Sequence, residues 1–298
     1  MNRASFAKML EPGLNTLFGL EYDSYPAEYE AVFESNTSQK AYEEDLLLSG
    51  FGSAPTKSEG SAISYDDAGQ QWTARYQHET IALAFSITEE AEEDGQYGSI
   101  ASRYTKALAR SMASTKEIKA ANVLNNATTS TGGDGVTLLN TAHPTQNGNQ
   151  SNTLATAADL SETSLESILI QIADMKDDRG LRVAAQGTQL VIPTAYTFVA
   201  ERLLESQLRT GTADNDINAI KSGGYLPKGY HVMRRLTDAD AFFVTTDVPD
   251  GLKMFQRSAL KKGMEGDFET GNVRYKVRER YSFGVTDWRG VFGSEGAA

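Results

Sequence analysis

The sequence predicts an α+β fold drawn out in one direction, and three observations carry that expectation. Residues 96–128 read QYGSIASRYTKALARSMASTKEIKAANVLNNAT, with no proline and no glycine after Gly98. Within them Tyr97, Ile100, Tyr104, Leu108, Met112, Ile118 and Leu124 recur mostly three or four apart, the spacing of a helix face. Near the C-terminus Val273, Tyr275, Val277, Tyr281, Phe283 and Val285 hold one face of a period-two strand. The short apolar islands at 22–25 and 46–48, by contrast, are too sparse for a core of their own. A helix of about 30 residues rises roughly 45–50 Å, close to the ~50 Å diameter of a compact chain of this size. Such a rod spans the molecule, which suits a tiling plate better than a ball around a pocket.

Composition removes several function classes. The chain has 298 residues, enough for one large domain or two ordinary ones, and at 40% hydrophobic and 23% charged it can bury a core. It has no cysteine, which excludes disulfides, thiol chemistry and Cys-based zinc sites. The N-terminus MNRASFAKML lacks the apolar run of a signal peptide, and no stretch reaches the length of a membrane span. The expectation is a soluble chain, intracellular when made, with no membrane partner. The net charge of -12 is uneven, since residues 1–100 hold 18 Asp and Glu against 5 Lys and Arg. No domain shows the basic excess that gripping a nucleic-acid backbone requires.

Taken in order, residues 1–50 read as an arm. Phe6, Met9, Leu10, Leu14, Leu17 and Phe18 could line a helix face, with Pro12-Gly13 expected to interrupt it. Residues 51–88 read as an extended hairpin. Ile63 and Tyr65 lead into an Asp66-Asp67-Ala68-Gly69 turn, Trp72, Ala74 and Tyr76 lead out, and Ile81, Leu83, Phe85 and Ile87 form a second strand. Ser86 and Glu89 match a capping box for a short acidic helix, which Gly95 and Gly98 separate from the rod. The rod itself is basic, with Arg103, Lys106, Arg110, Lys116 and Lys119.

A Gly- and Asn-rich passage follows, with a strand expected at 136–139. An amphipathic helix at 160–177 is expected to be capped by Thr163 and Glu166 and closed by Gly180. QLVIP reads as a buried strand, 194–208 as a helix, and 230–233 and 242–245 as strands. On the C-terminal strand Arg274, Lys276, Arg278 and Arg280 share the second face. Four like charges in a row more often meet carboxylates of a neighbouring element or subunit, or face water, than grip DNA. Trp72 and Tyr76 have no evident core beneath them and are expected to pack on an adjacent subunit.

No catalytic, cofactor or metal constellation emerges. His78, His143 and His231 lie in unrelated contexts, no serine sits in a Gly-x-Ser-x-Gly elbow, and Gly266-x4-Gly271 is followed by Asn272 where a phosphate loop needs lysine. Gly132-Gly133-Asp134-Gly135 reads as a turn. The expectation is a non-enzyme with no cofactor.

The ordered succession ITEEAEEDGQYGSIASRYTKALARSMASTKEIKAANVLNNA, LLNTAHP, LSETSLESILIQIADMKDDRG and QLVIPTAYTFVAERLLES, with Arg278-Glu279-Arg280-Tyr281 through Asp287-Trp288-Arg289-Gly290, resembles tailed-bacteriophage major capsid proteins. Within these it is most similar to the Mu-like major head subunits, over about residues 50–295. The resemblance implies the Hong Kong 97-type capsid fold: an N-terminal arm at 1–50, an extended loop at 51–88, a peripheral domain with a spine helix at 89–158, an axial domain at 159–251 and returning peripheral strands at 252–298. It implies self-assembly through hexamers and pentamers into an icosahedral head around double-stranded DNA that is enclosed without specific binding. Portal and scaffolding proteins, and in some relatives a decoration protein, are implied partners. The chain starts almost at the arm, so a separate scaffolding protein or prior maturation is expected. Its place is the virion, after synthesis in the host bacterial cytoplasm. The alternatives are an encapsulin-like nanocompartment shell and, from another class, a soluble hydrolase.

Overall fold

The computed structural model describes residues 3–88, 97–208, 216–267 and 271–297. Two four-stranded sheets organise it. The first has the order β1 (Glu34–Thr37), β10 (Leu252–Gly266), β11 (Val273–Val285) and β4 (Glu79–Ile87), with β10, β11 and β4 antiparallel and β1 parallel to β10. The second has the order β12 (Val291–Ser294), β9 (Phe242–Thr246), β7 (Gly187–Ile192) and β8 (Tyr230–Val232).

Two helices lie along the first sheet. Helix α2 (Tyr97–Asn125) is the rod, 29 residues and about 43 Å long. Its fully buried Ala109, Ala120 and Ala121 let neighbouring elements approach its backbone closely. Helix α1 (Arg3–Asp23) runs straight through Pro12, contrary to the expected break. Leu14 and Phe18 are buried in one cluster with Leu108, Ala109, Met112, Tyr275 and Val277. The Lys262 ammonium lies 5.1 Å from the Phe18 ring centre and donates to the Asn15 carbonyl at 2.8 Å. That burial offsets the hydrogen bond that proline withholds.

The second sheet carries α3 (Glu162–Asp174), α4 (Thr197–Glu205) and α5 (Ala219–Gly223). Leu165, Ile168 and Ile172 of α3 share a core with Leu190, Val191, Ile192, Phe242, Val244 and Phe292. That core runs on beneath Trp288 to Tyr281 at the far end of β11. The cap of α3 is Ser161 with Ser164, two residues earlier than Thr163 and Glu166. Gly180 does not close this helix; it takes positive φ in the following turn, where Gly180 N–H donates to the Asp177 carbonyl at 3.2 Å.

Three other expectations are corrected. Strand β3 (Gln70–Gln77) pairs with β2 (Tyr42–Leu48), so residues 49–69 form one long connection and Ile63 and Tyr65 are not in a strand. Ser86 is a residue of β4, so it caps no helix; Glu89 lies outside the described residues. Residues 136–139 form no strand beyond an isolated bridge at Thr137, and the strands of this passage are β5 (His143–Thr145) and β6 (Gly148–Gln150). Buried Asn152 orders it, donating to the carbonyls of Leu138 (2.6 Å) and Val291 (3.0 Å) and accepting from Asn140 N–H (2.9 Å).

Candidate functional site

Trp72 and Tyr76 stand on β3 and face their own chain. Tyr76 is 3% exposed, its hydroxyl lies 2.6 Å from Thr286 Oγ1, and its ring meets Phe255 edge-on at 4.8 Å. Burial pushes its phenol well above the usual range, so it stays neutral. Trp72 is half-buried and donates its indole N–H to the Thr286 carbonyl at 3.0 Å. A side chain at Gly133 would put its Cβ 2.4 Å from the Trp72 ring, so glycine is needed there. The expected want of a core beneath them is therefore corrected: the core is intramolecular, supplied by the ends of β10 and β11.

The same corner is locked by charge. Asp45 of β2 accepts from Thr286 Oγ1 at 3.0 Å and from Lys253 Nζ at 2.7 Å, and Asp250 lies 2.5 Å from the same ammonium. Burial of Lys253 works against its charge, but the bonds from Asp250 and Asp45 outweigh it and raise its pKa. The hairpin base is thus a fixed mount. Farther out, Arg179 donates to the Asp67 carbonyl at 2.6 Å and ties the long connection to the turn after α3.

A run of unburied apolar groups lies beyond that mount. Leu48, Phe51, Ile63 and Tyr65 are 62%, 61%, 69% and 94% exposed. Sequence reading placed Ile63 and Tyr65 in a strand and overlooked them as contact groups. Their signal was apolar residues inside a loop of Gly, Ser, Pro and Lys composition.

The basic stripe lies on the outer face of the first sheet. Arg274, Lys276 and Arg278 are exposed and Arg280 is half-buried. Opposite them β4 presents Ser86, Ala84, Ala82 and Thr80, and β10 places Lys261 across from Arg278. Arg274 pairs with Asp267 at 2.5 Å, an acid of its own hairpin rather than of the first hundred residues. Among the described residues Lys276, Arg278 and Arg280 form no ion pair, so of the four stripe cations Arg274 alone meets a described carboxylate.

Glu279, on the opposite face of β11, went unnoticed in sequence. It is 1% exposed and lies 3.5 Å from Lys116 of α2, itself buried with its ammonium 5.2 Å and 5.3 Å from the ring centres of Tyr29 and Tyr281. Burial raises the Glu279 pKa and the Lys116 charge opposes that rise. A second buried pair joins Arg289 to Asp178 at 2.8 Å and to Asp287 at 3.3 Å.

His78 and His143 serve packing. His78 bridges Ser38 and Ser282, and His143 stacks on Trp288 at 4.2 Å while bonding Asp134 at 2.6 Å. They do not converge with one another, and among the described residues no three His, Cys, Asp or Glu side chains are placed to hold a metal. What the surface offers is contact: an apolar loop on a rigid mount, a cationic strand face and a long helix.

Solved structures share this architecture. The chain aligns with the capsid of bacteriophage JBD30 at TM-score 0.51 and 13% identity, covering 92% of this chain and 66% of that one. It aligns with a Microbacterium phage Oxtober96 structure at TM-score 0.54 and 11% identity, covering 92% and 91%. It also aligns with a virus-like particle from Pyrococcus furiosus at TM-score 0.51 and 10% identity, covering 94% and 97%. No curated protein matches the sequence. The phage capsid protein family model matches residues 72–293, which takes in most of β3, the rod, all of the first sheet except β1, nearly all of the second sheet and the basic strand. The fold is the Hong Kong 97-type capsid fold, and this chain belongs to the phage capsid protein family.

Proposed function

We propose that this capsid protein is the major head subunit of a tailed phage, of the Mu-like group, and that its copies form hexamers and pentamers closing around double-stranded DNA. Scaffolding and portal proteins act with it during assembly, and the subunit performs no catalysis. The observation that carries the reading is the pairing of a family match over residues 72–293 with a loop whose apolar side chains are left uncovered among the described residues. Ile63 and Tyr65 sit on a connection of 21 residues, 49–69, fixed at its root by Asp45, Lys253 and Arg179. A mounted, greasy projection is stabilised when it lies on another subunit, and repeated around a ring it makes assembly cooperative. The net charge of -12 suits a wall that holds DNA without adhering to it.

Replacing Ile63 and Tyr65 together by serine tests this. The subunit should keep its wild-type circular dichroism and unfolding midpoint, because neither side chain is buried, while closed shells disappear from negative-stain fields. Shells at wild-type yield would remove the loop from assembly. Nucleic acid inside wild-type particles, as opposed to a cargo protein, tests the head assignment.

A further inference from the structure

We propose that the free edge of β4 takes residues 61–65 of a second copy as an added strand of the first sheet. The contact rests on the assembly proposed for the subunit and gives its projecting loop a seat. β4 ends the sheet on the side away from β1, and among the described residues it pairs only with β11, in unbroken register from Glu79↔Tyr281 to Ile87↔Val273. Its nine residues ETIALAFSI contain no lysine, proline or glycine, and Glu79, Thr80, Ala82, Leu83, Ala84 and Ser86 are exposed. Edge strands are ordinarily blunted by shortness, a bulge, a proline or a lysine, because a bare row of N–H and C=O groups recruits another strand. The other edges of the two four-stranded sheets follow that rule, with four residues in β1, four in β12 and three in β8. Among these edges β4 alone is long and unguarded.

Along that edge the sheet is also incompletely covered. Ile87, with Ile81 and Phe85 beside it, packs in the cluster that holds Leu108 and Met112 of the rod. Leu83 shares their face by alternation but is 45% exposed. Tyr104 of the rod, whose ring meets Phe85 edge-on at 5.7 Å, is 49% exposed. On the outer face Ala82 and Ala84 are small, and β11 places Arg278 opposite the first and Lys276 opposite the second. An incoming strand therefore meets backbone donors and acceptors at the edge, an apolar notch on one face and cations on the other.

The segment Ser61-Ala62-Ile63-Ser64-Tyr65 fits all three. Isoleucine and tyrosine in alternation favour a strand, yet among the described residues the segment has no strand partner and each of its residues is exposed. With Ile63 and Tyr65 turned toward the rod they cover Leu83 and Tyr104, which leaves Ser64 beside the two alanines. Glu59 precedes the segment and Asp66 and Asp67 follow it, so acids arrive next to the basic stripe. The reach is sufficient. Ser49 N–H donates to the Gly69 carbonyl at 2.8 Å and pinches the root of the connection, whose tip can then stand roughly 30 Å from the mount. Pairing β4 with a second β4 instead would bring two cationic stripes toward each other, and like charges on a sheet repel.

A chain without cysteine allows a direct test by disulfide trapping in assembled shells. Ser64→Cys is combined in turn with Thr80→Cys, Ala82→Cys, Leu83→Cys, Ala84→Cys and Ser86→Cys, all at exposed positions, and linked subunits are read as ladders on non-reducing gels after oxidation. Ser64→Cys should link to one or two of the even-numbered positions and not to Leu83→Cys, since strand neighbours share a face. The same variants oxidised as soluble subunits should stay monomeric. Shells that form normally with no link between loop and edge, or with links at every position alike, overturn the added strand and leave the head assignment standing. Ladders from Ala84→Cys alone assign the edge to a second β4 and overturn it too. Should the paired variants not assemble, hydrogen exchange on wild-type shells decides. Amides of 61–65 should be unprotected in the soluble subunit and protected in the shell, and unchanged exchange overturns the contact. A wild-type chain that builds no shells defeats the assembly proposal and this contact with it.

Discussion

Tyr76 carries two separable contributions, a ring packed on Phe255 and Gly284 and a hydroxyl closed on Thr286. Tyr76→Phe removes the second alone and should cost about 1 kcal/mol, the net value of a typical buried hydrogen bond. Tyr76→Ala removes both and should cost about 3–5 kcal/mol, as large-to-small changes at buried aromatics do. Urea unfolding midpoints of the two variants check the pair, and equal midpoints would mean that the ring contributes little. The alternation of β3 already put Trp72, Ala74 and Tyr76 on one face. What sequence could not supply was the surface beneath them, because Thr286 and Phe255 are far away along the chain. Glu279 was readable in principle: it occupies an odd position in a strand whose odd positions are otherwise apolar, from Val273 to Val285. A carboxylate at such a place has to meet a cation, and the rod's Lys116 is that cation.

Elements with strong local periodicity were the legible ones. The rod, the C-terminal strand, the α3 helix and the QLVIP strand depend on patterns that recur within a few residues, so the expected and observed spans agree closely. The pairing of β2 with β3 was not legible, since register across a 21-residue connection is set by the mount at Asp45 and Lys253 rather than by the turn sequence. Helix α1 was misread at Pro12 for a related reason: Leu14 and Phe18 bury against distant α2, and that tertiary gain overrides the local breaker. The same principle has a limit within the rod. Ala109 is fully buried between the helix and its neighbours. Ala109→Pro removes a hydrogen bond, clashes with the preceding turn and should cost ~3 kcal/mol or more. Because α2 spans both cores, a kink there should misdirect α1 at one end and the second sheet at the other. Thermal unfolding should register the loss and microscopy should find aberrant particles or none. Regular particles of wild-type size from this variant would show that the rod is not the subunit's structural axis.

At the scale of the whole molecule, charge is segregated: 18 acids against 5 bases in residues 1–100, and a cationic strand face at the other end of the chain. Among the described residues these regions remain largely separate, for Arg274 takes an acid from its own hairpin and Lys261 stands across from Arg278 without relieving it. Like charges set side by side on a sheet repel, and the repulsion is relieved when an acidic surface of another copy arrives. The small side chains of β4 beside the stripe, Ala82 and Ala84, leave room for that approach. Replacing Arg274 and Arg278 together by glutamate should therefore lower the yield of empty shells, while the soluble subunit keeps its fold because both side chains are exposed. Salt should weaken wild-type assembly in the same direction, as exposed charges are screened beyond a Debye length of about 8 Å. If the stripe instead gripped DNA, the charge-reversed chain would form empty shells at the normal yield and lose only packaged DNA. Measuring shell yield and encapsidated DNA on the same preparation separates these outcomes, and normal empty shells would refute the subunit-contact role of the stripe.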